Sequence, residues 1–559
     1  MPGTLNEHEQ RLIAAAEAGE IAEFDGEAVI RAEVLASLAA GRPWADQEAW
    51  PVHPRGIRMA GGRVEGRLDL DGCTLEQTLA IMGADMPGGA TLIGAQTRDL
   101  DFRHTSAGPI RADGATIDGE VRIVGAALTA PDGGGEALSF TEAHVRRGLF
   151  AGKLTAQGEV SLFGAEIGGQ VSLNNATLTS ASGKALWAQG ATISGGLFAD
   201  NAKAEGVFAI NRAEIGGQVS LNNATLTNTG EHALWAQDAT IKAGLFAMRA
   251  KVEGVFDINN GGIGGPVGLN GAMLTNAGGD ALNGQGATIK GGLSADASEV
   301  EGVFAINGAE IGGQLALFRA TLTGRLRADS ARIGRLILWR SRLKSASAAG
   351  AAKDAQNPTS DERDVIDLSD ARIGVLDMPV DAESRPIGVV DLNRAHVERL
   401  VDHADAWPEN ASETDHLVLD GFTYDVLTHP SGEAGGAPSS ERTIAEARLR
   451  WLNAQAPSHL KGDFKPQPWR QLGRVLARQG HETAAGRIAV AREVQARKSE
   501  RGLQKCTSWL LHAFADYGYN PWRTVVISVG VIAYFWAIFW LAASTGPMPG
   551  GAPLSNANA

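Results

Sequence analysis

The sequence predicts a mainly β fold: a right-handed parallel β-helix, or solenoid, with an N-terminal helical cap, a C-terminal α-helical hairpin and one transmembrane helix. Three observations predict it. A 48-residue unit recurs in the middle of the chain, apolar and polar residues alternate within its 11-residue pieces, and one late segment runs 21 residues without a charge.

The cap is assigned to residues 1–54. Residues 5–19 and 27–40 read as helices, the second placing Val29, Ile30, Val34, Leu35 and Leu38 on one face. The stretch from Met1 to Glu20 is acidic and has neither the positive nor the apolar region of a secretory signal peptide.

The solenoid is assigned to residues 55–428, with the repeat clearest over 165–308. Ile167, Ile215, Ile263 and Ile311 head the near-identical runs IGGQVSLNNATLT, IGGQVSLNNATLT, IGGPVGLNGAMLT and IGGQLALFRATLT. Phe208, Phe256 and Phe304 repeat in step, as do Glu205, Glu253 and Glu301. Each unit divides into three 11-residue pieces and one of 15, such as ATISGGLFADN at 191–201 and ATLTNTGEHALWAQD at 224–238. Apolar residues at every second position, punctuated by Gly, Asn or Asp, describe short strands and tight turns. If two pieces make one coil, the coils hold 22 or 26 residues, and roughly fifteen coils stacked at ~4.8 Å make a rod on the order of 70 Å long. Glycine is expected at the corners, where φ is positive.

Asn174, Asn222 and Asn270 read as a structural amide ladder, and Trp187 and Trp235 as stacked packing residues. Glu205, Glu253 and Glu301 recur as structural positions do, whereas a catalytic carboxylate would occur once. The run 344–363 has no apolar periodicity and reads as an excursion from the rod.

Residues 429–440 form a Gly/Pro/Ser linker, and 441–515 a basic α-helical hairpin region. Trp469, Leu472, Gly473, Leu476, Ala485 and Ala489 follow the spacing of one tetratricopeptide-type hairpin. His481, after Gly480 at the turn, reads as a C-terminal helix contact rather than a catalytic base. Residues 441–505 hold 14 Lys or Arg against six Asp or Glu, so the chain before them carries about −22 of the total −14. An acidic rod beside a basic collar is the expectation.

Thr524 to Ser544 reads as a transmembrane helix, long enough at ~1.5 Å per residue to cross about 30 Å of hydrocarbon. Arg497, Lys498, Arg501, Lys505, Tyr517, Tyr519, Trp522 and Arg523 precede it as the expected membrane-interface residues, with anionic lipid headgroups as their partner. The tail 545–559 has no Lys or Arg, which places the bulk of the chain in the cytoplasm, on a bacterial inner membrane.

The segments LVLDGFTYDVL at 417–427, PWRQLGRVLARQGHETAAGRIAVARE at 468–493 and ADYGYNPWR at 515–523 make the chain resemble a bacterial family of membrane-associated pentapeptide-like repeat proteins. Some members of that family are named membrane-associated oxidoreductases. The resemblance implies a solenoid at a membrane and, through that name, a redox activity, but carries over no catalytic residue. The sequence departs from regular pentapeptide proteins in its 11-residue pieces.

The composition excludes several chemistries. Cys73 and Cys506 are too few for a disulfide framework or zinc cluster. Glycine-rich runs such as GGIGGPVG lack the strand, helix and distal acid of a dinucleotide site. No catalytic, cofactor-binding or metal-binding residue is indicated. The reading is a non-catalytic scaffold, a rod that binds a protein partner along its surface. The alternatives are a membrane-associated oxidoreductase, a carbohydrate-active β-helix and an acidic nucleic-acid mimic; direct nucleic-acid binding is not expected.

Overall fold

A computed structural model describes residues 4–44, 48–131, 134–344, 364–379, 382–403, 406–408, 414–428, 440–461, 464–499 and 521–545. The chain separates into two units, Met1–Ala437 and Pro438–Ala559.

The first unit begins with helix α1, Glu7–Ala18. Its N-terminus is closed by a capping box, in which the Asn6 side chain accepts from Glu9 N and the Glu9 side chain accepts from Asn6 N. Glu9 is fully buried and ion-pairs with Arg31 at 2.6 Å. The hydrogen bonds from Arg31 and Asn6 outweigh burial and hold its carboxyl below the usual range. The second helix, α2, is shorter than expected and spans Ala32–Ala39. β-Branched Val29 and Ile30 are instead drawn into a strand, Val29–Arg31, paired in parallel with Arg63–Glu65. Ala22–Glu23 likewise pairs with Ile57–Ala60. The cap therefore supplies strands to the first coil as well as helices.

From Ile57 to Thr428 the chain is a parallel β-solenoid of about 15 turns. Among the described residues its strands form two parallel sheets, of 26 and 22 strands. Glu166 pairs with Thr192, Thr192 with Glu214 and Glu214 with Thr240, so steps of 26 and 22 residues alternate. The extra residues of the longer coils lie in 11-residue strands such as Thr177–Trp187, where the register shifts. The interior is built one side chain per coil. Leu186, Phe208, Leu234, Phe256, Leu282, Phe304 and Leu326 pair in succession and are all 0% exposed. Alternating a ring with a smaller branched chain fills the bore at close-packed density.

The corners differ from the glycine expectation. Asn201, Arg212, Asn223, Asp238, Arg249 and Asn260 take φ values of 53–57°, so the left-handed turns of the regular repeat belong mainly to other residues. The glycine pairs do something else. A Cβ on Gly216 would stand 2.2 Å from Ser194 O, and one on Gly264 the same distance from Lys242 O. These glycines let one coil lie against the next.

Beyond Lys344, the expected excursion 344–363 falls almost wholly outside the described residues. Arg342–Lys344 and Asp364–Asp367, on either side of it, both pair with Thr321–Arg327, so the stack continues.

The second unit opens with α3, Glu441–Asn453, capped by Ser440, followed by α4, Pro457–Lys461. Helices α5, Gln467–Arg478, and α6, Glu482–Ser499, form the hairpin. Trp469, Leu472, Val475 and Leu476 of α5 and Ile488 of α6 are buried. Glu441 joins the start of α3 to the start of α6, accepting from His481 Nδ1 at 2.7 Å and from Ala484 N at 2.9 Å. The His481 backbone N–H makes the expected C-terminal contact, donating to Leu476 O of α5 at 2.9 Å, but its side chain serves the start of α3 instead and lowers the Glu441 pKa.

Helix α7, Pro521–Thr545, covers the apolar segment, and its described large side chains, Trp536 and Phe539 among them, are exposed. Among the described residues no helix is long and apolar enough to cross a membrane. This corrects the transmembrane helix expected at 524–544, and with it the single-pass placement in a bacterial inner membrane.

Candidate functional site

A column of polar side chains in the repeat fastens one coil to the next. Asn174 Oδ1 accepts from Asp200 N at 2.9 Å, Asn222 Oδ1 from Met248 N at 3.0 Å, and Asn270 Oδ1 from Asp296 N at 2.9 Å. Asp200 and Asp296 continue the series, accepting from Asn222 N and Phe318 N at 2.9 and 3.0 Å. The column is a structural ladder that satisfies backbone donors at a corner. Glu205, Glu253 and Glu301 are exposed and alternate in register with Thr179, Thr227 and Thr275. That repetition is likewise architectural.

Trp187 and Trp235 stand two coils apart with Ala209 between them, and the small residue lets the rings meet at 5.8 Å and 60°. Their faces are already in use. Lys184 Nζ lies 4.0 Å from the Trp187 ring, and His232 stacks on Trp235 at 5.3 Å and 13°. The pair is packed against these neighbours and half-buried.

His232 also faces a residue that breaks the repeat. Asp257 occupies the position of Ala209 and Ala305, is 2% exposed, and has its carboxylate 3.2 Å from His232 Nδ1. Burial pushes the Asp257 pKa up, opposed by the N–H of Asn259 at 2.9 Å and by His232. Among the described residues no hydroxyl or thiol is hydrogen-bonded to either side chain. Among the described residues the pair has no nucleophile beside it to activate. No described group of three or more His, Cys, Asp or Glu side chains is placed to hold a metal ion.

The strongest departure from the repeat lies at the corner that follows Asp296. In the next two coils the ladder position passes to Phe318 and then Trp339. Their rings lie 5.8 Å apart, tilted 45°, and Trp339 is 40% exposed. The next residue in each coil is arginine with left-handed backbone, φ 57° at both Arg319 and Arg340. Each guanidinium lies over its neighbouring ring, Arg319 at 5.0 Å from Phe318 and Arg340 at 5.5 Å from Trp339. Exposed Arg342 and Lys344 follow. Between Arg319 and Lys344 there are eight cationic side chains and one carboxylate, Asp329. The rod is therefore not uniformly acidic, as its total charge suggested; net charge averages over a local band of opposite sign.

The residues expected at a membrane interface are only partly visible. Arg497 and Lys498 are consecutive on α6, where Lys498 Nζ donates to Gln495 Oε1 at 3.0 Å and Arg497 is half-buried. Arg501, Lys505, Tyr517 and Tyr519 lie outside the described residues, as do the side chains of Trp522 and Arg523. The cationic aromatic corner was missed by sequence reading, although GRLRADSARIGRLILWRSRLK at 324–344 signals it as an arginine-rich run. A scan of charge along the solenoid, coil by coil, finds it. The chain matches no protein-family model, and no curated protein matches it significantly.

Proposed function

We propose that the chain is a non-catalytic binding rod, in which the solenoid presents a surface to a protein partner. The observation that carries this reading is the exposed Trp339, with Phe318, Arg319 and Arg340 around it, where the structural Asn/Asp ladder stops. Trp and Arg dominate the energetics of protein interfaces, and here an exposed Trp is grouped with a second ring and two exposed arginines. Likeness to pentapeptide-like repeat proteins supports the same reading, since such coils offer long regular surfaces. A basic corner counts against nucleic-acid mimicry, which needs an unbroken negative surface. A photo-crosslinking residue at Trp339, with one at Glu205 as control, tests the proposal in cells. One reproducible protein adduct from position 339 alone supports it. Equal, diffuse labelling from both positions overturns it.

A further inference from the structure

We infer that the Phe318/Trp339 corner binds an extended, carboxylate-rich polypeptide segment; this rests on the binding-rod reading and specifies its partner. The charge is unsatisfied and local. Arg332 and Arg335 are held by Glu310 and Asp377, whereas among the described residues Arg319, Arg340, Arg342 and Lys344 have no carboxylate partner. All four are exposed. Arg342 and Lys344 project from one strand two residues apart, about 6.6 Å, the spacing at which an extended peptide presents side chains on one face. Arg319 and Arg340 lie one coil apart, ~4.8 Å, beside the two rings. Alternate acidic side chains of a bound strand meet this array, and planar guanidinium groups take carboxylates two hydrogen bonds at a time.

The same cations would attract the phosphates of a single nucleic-acid strand, so the rings decide. Base stacking needs an open, flat aromatic face. Each ring here carries its own arginine over one face, and the rings are tilted 45° to each other. The guanidinium edges beside the rings suit a carboxylate, and the exposed Trp339 ring suits an apolar side chain.

The test uses the full chain with two labelled probes, a short oligoglutamate peptide and an oligothymidylate of equal charge. The expected result is saturable oligoglutamate binding that weakens with salt and falls about tenfold or more in the variant Arg319→Glu, Arg340→Glu, Arg342→Glu. Oligothymidylate binds more weakly. Tighter or equal oligothymidylate binding, absent oligoglutamate binding, or indifference to the triple variant overturns the inference. Should the triple variant lose its β circular dichroism, Arg340→Gln with Arg342→Gln gives the same comparison at exposed sites, with a smaller loss expected and no loss counting against the inference. If oligoglutamate fails while position 339 still crosslinks one protein, the partner chemistry is wrong and the binding rod stands; if both fail, neither stands.

Discussion

The Nδ1 atom of His232 lies 3.2 Å from the carboxylate of Asp257, a residue 2% exposed at a position where the sister repeats carry Ala209 and Ala305. Removing His232 takes away a neighbour that opposes the cost of burying Asp257, whereas replacing Asp257 by Ala restores the residue that Ala209 and Ala305 provide. His232→Gln is therefore expected to destabilise the solenoid by about 1–3 kcal/mol. Asp257→Ala in that background should recover most of the loss. Equilibrium denaturation of the two variants checks this, and additive losses would contradict it.

Near the end of the rod, burial raises the Asp391 pKa to about 6, with the neighbouring Asp367 adding to the shift and the Asn393 N–H opposing it. A raised carboxylate value means that the folded state keeps its proton when the unfolded chain has lost it. The stability this contributes is complete below the ordinary value of 3.8 and is lost as pH rises towards about 6. Asp391→Asn should flatten that fall, which is on the order of 1–3 kcal/mol. Thermal melts across this interval, wild type against variant, give the comparison.

Gly216 and Arg212 separate two kinds of corner. A Cβ on Gly216 would meet Ser194 O at 2.2 Å, a backbone atom that cannot move without shifting a coil. Gly216→Ala should cost several kcal/mol, about 2–4. Arg212 sits at φ 57°, a conformation that strains residues with a Cβ. Arg212→Gly should be neutral or stabilising by up to about 1 kcal/mol. Opposite shifts in unfolding midpoint are the expected signature.

Asn222 accepts from Met248 N through its Oδ1, while its Nδ2 donates to Ser220 Oγ at 2.9 Å. Asn222→Ala leaves a corner N–H without its acceptor, an expected loss of about 1–2 kcal/mol. Asn222→Asp keeps an acceptor of the kind Asp200 and Asp296 already provide, so it should be milder. Amide exchange at Met248, faster in the alanine variant than in the aspartate variant, tests the local assignment.

The sequence by itself determined the β-solenoid and offered coils of 22 or 26 residues if two pieces make one turn; the observed pairing fixed those lengths. Ile167, Ile215 and Ile263 recur every 48 residues, and strict alternation about them leaves one face for the interior; pairing Glu166 with Thr192 and Thr192 with Glu214 accords with the repeat. Periodicity is local information, and the repeat multiplies it. What the tertiary structure decided was everything that depends on which coil lies against which. It put Val29 and Ile30 into a strand because Arg63–Glu65 offered an edge. It made Gly216 a contact residue and gave the left-handed corners to Asn and Arg. It also set Phe318 beside Trp339, and His232 against Asp257, pairs separated by 21 and 25 residues in sequence. Alternation shows which residues face outward. Only the stacked backbone shows which of those outward residues meet, because coil-to-coil register converts distant positions into neighbours at ~4.8 Å.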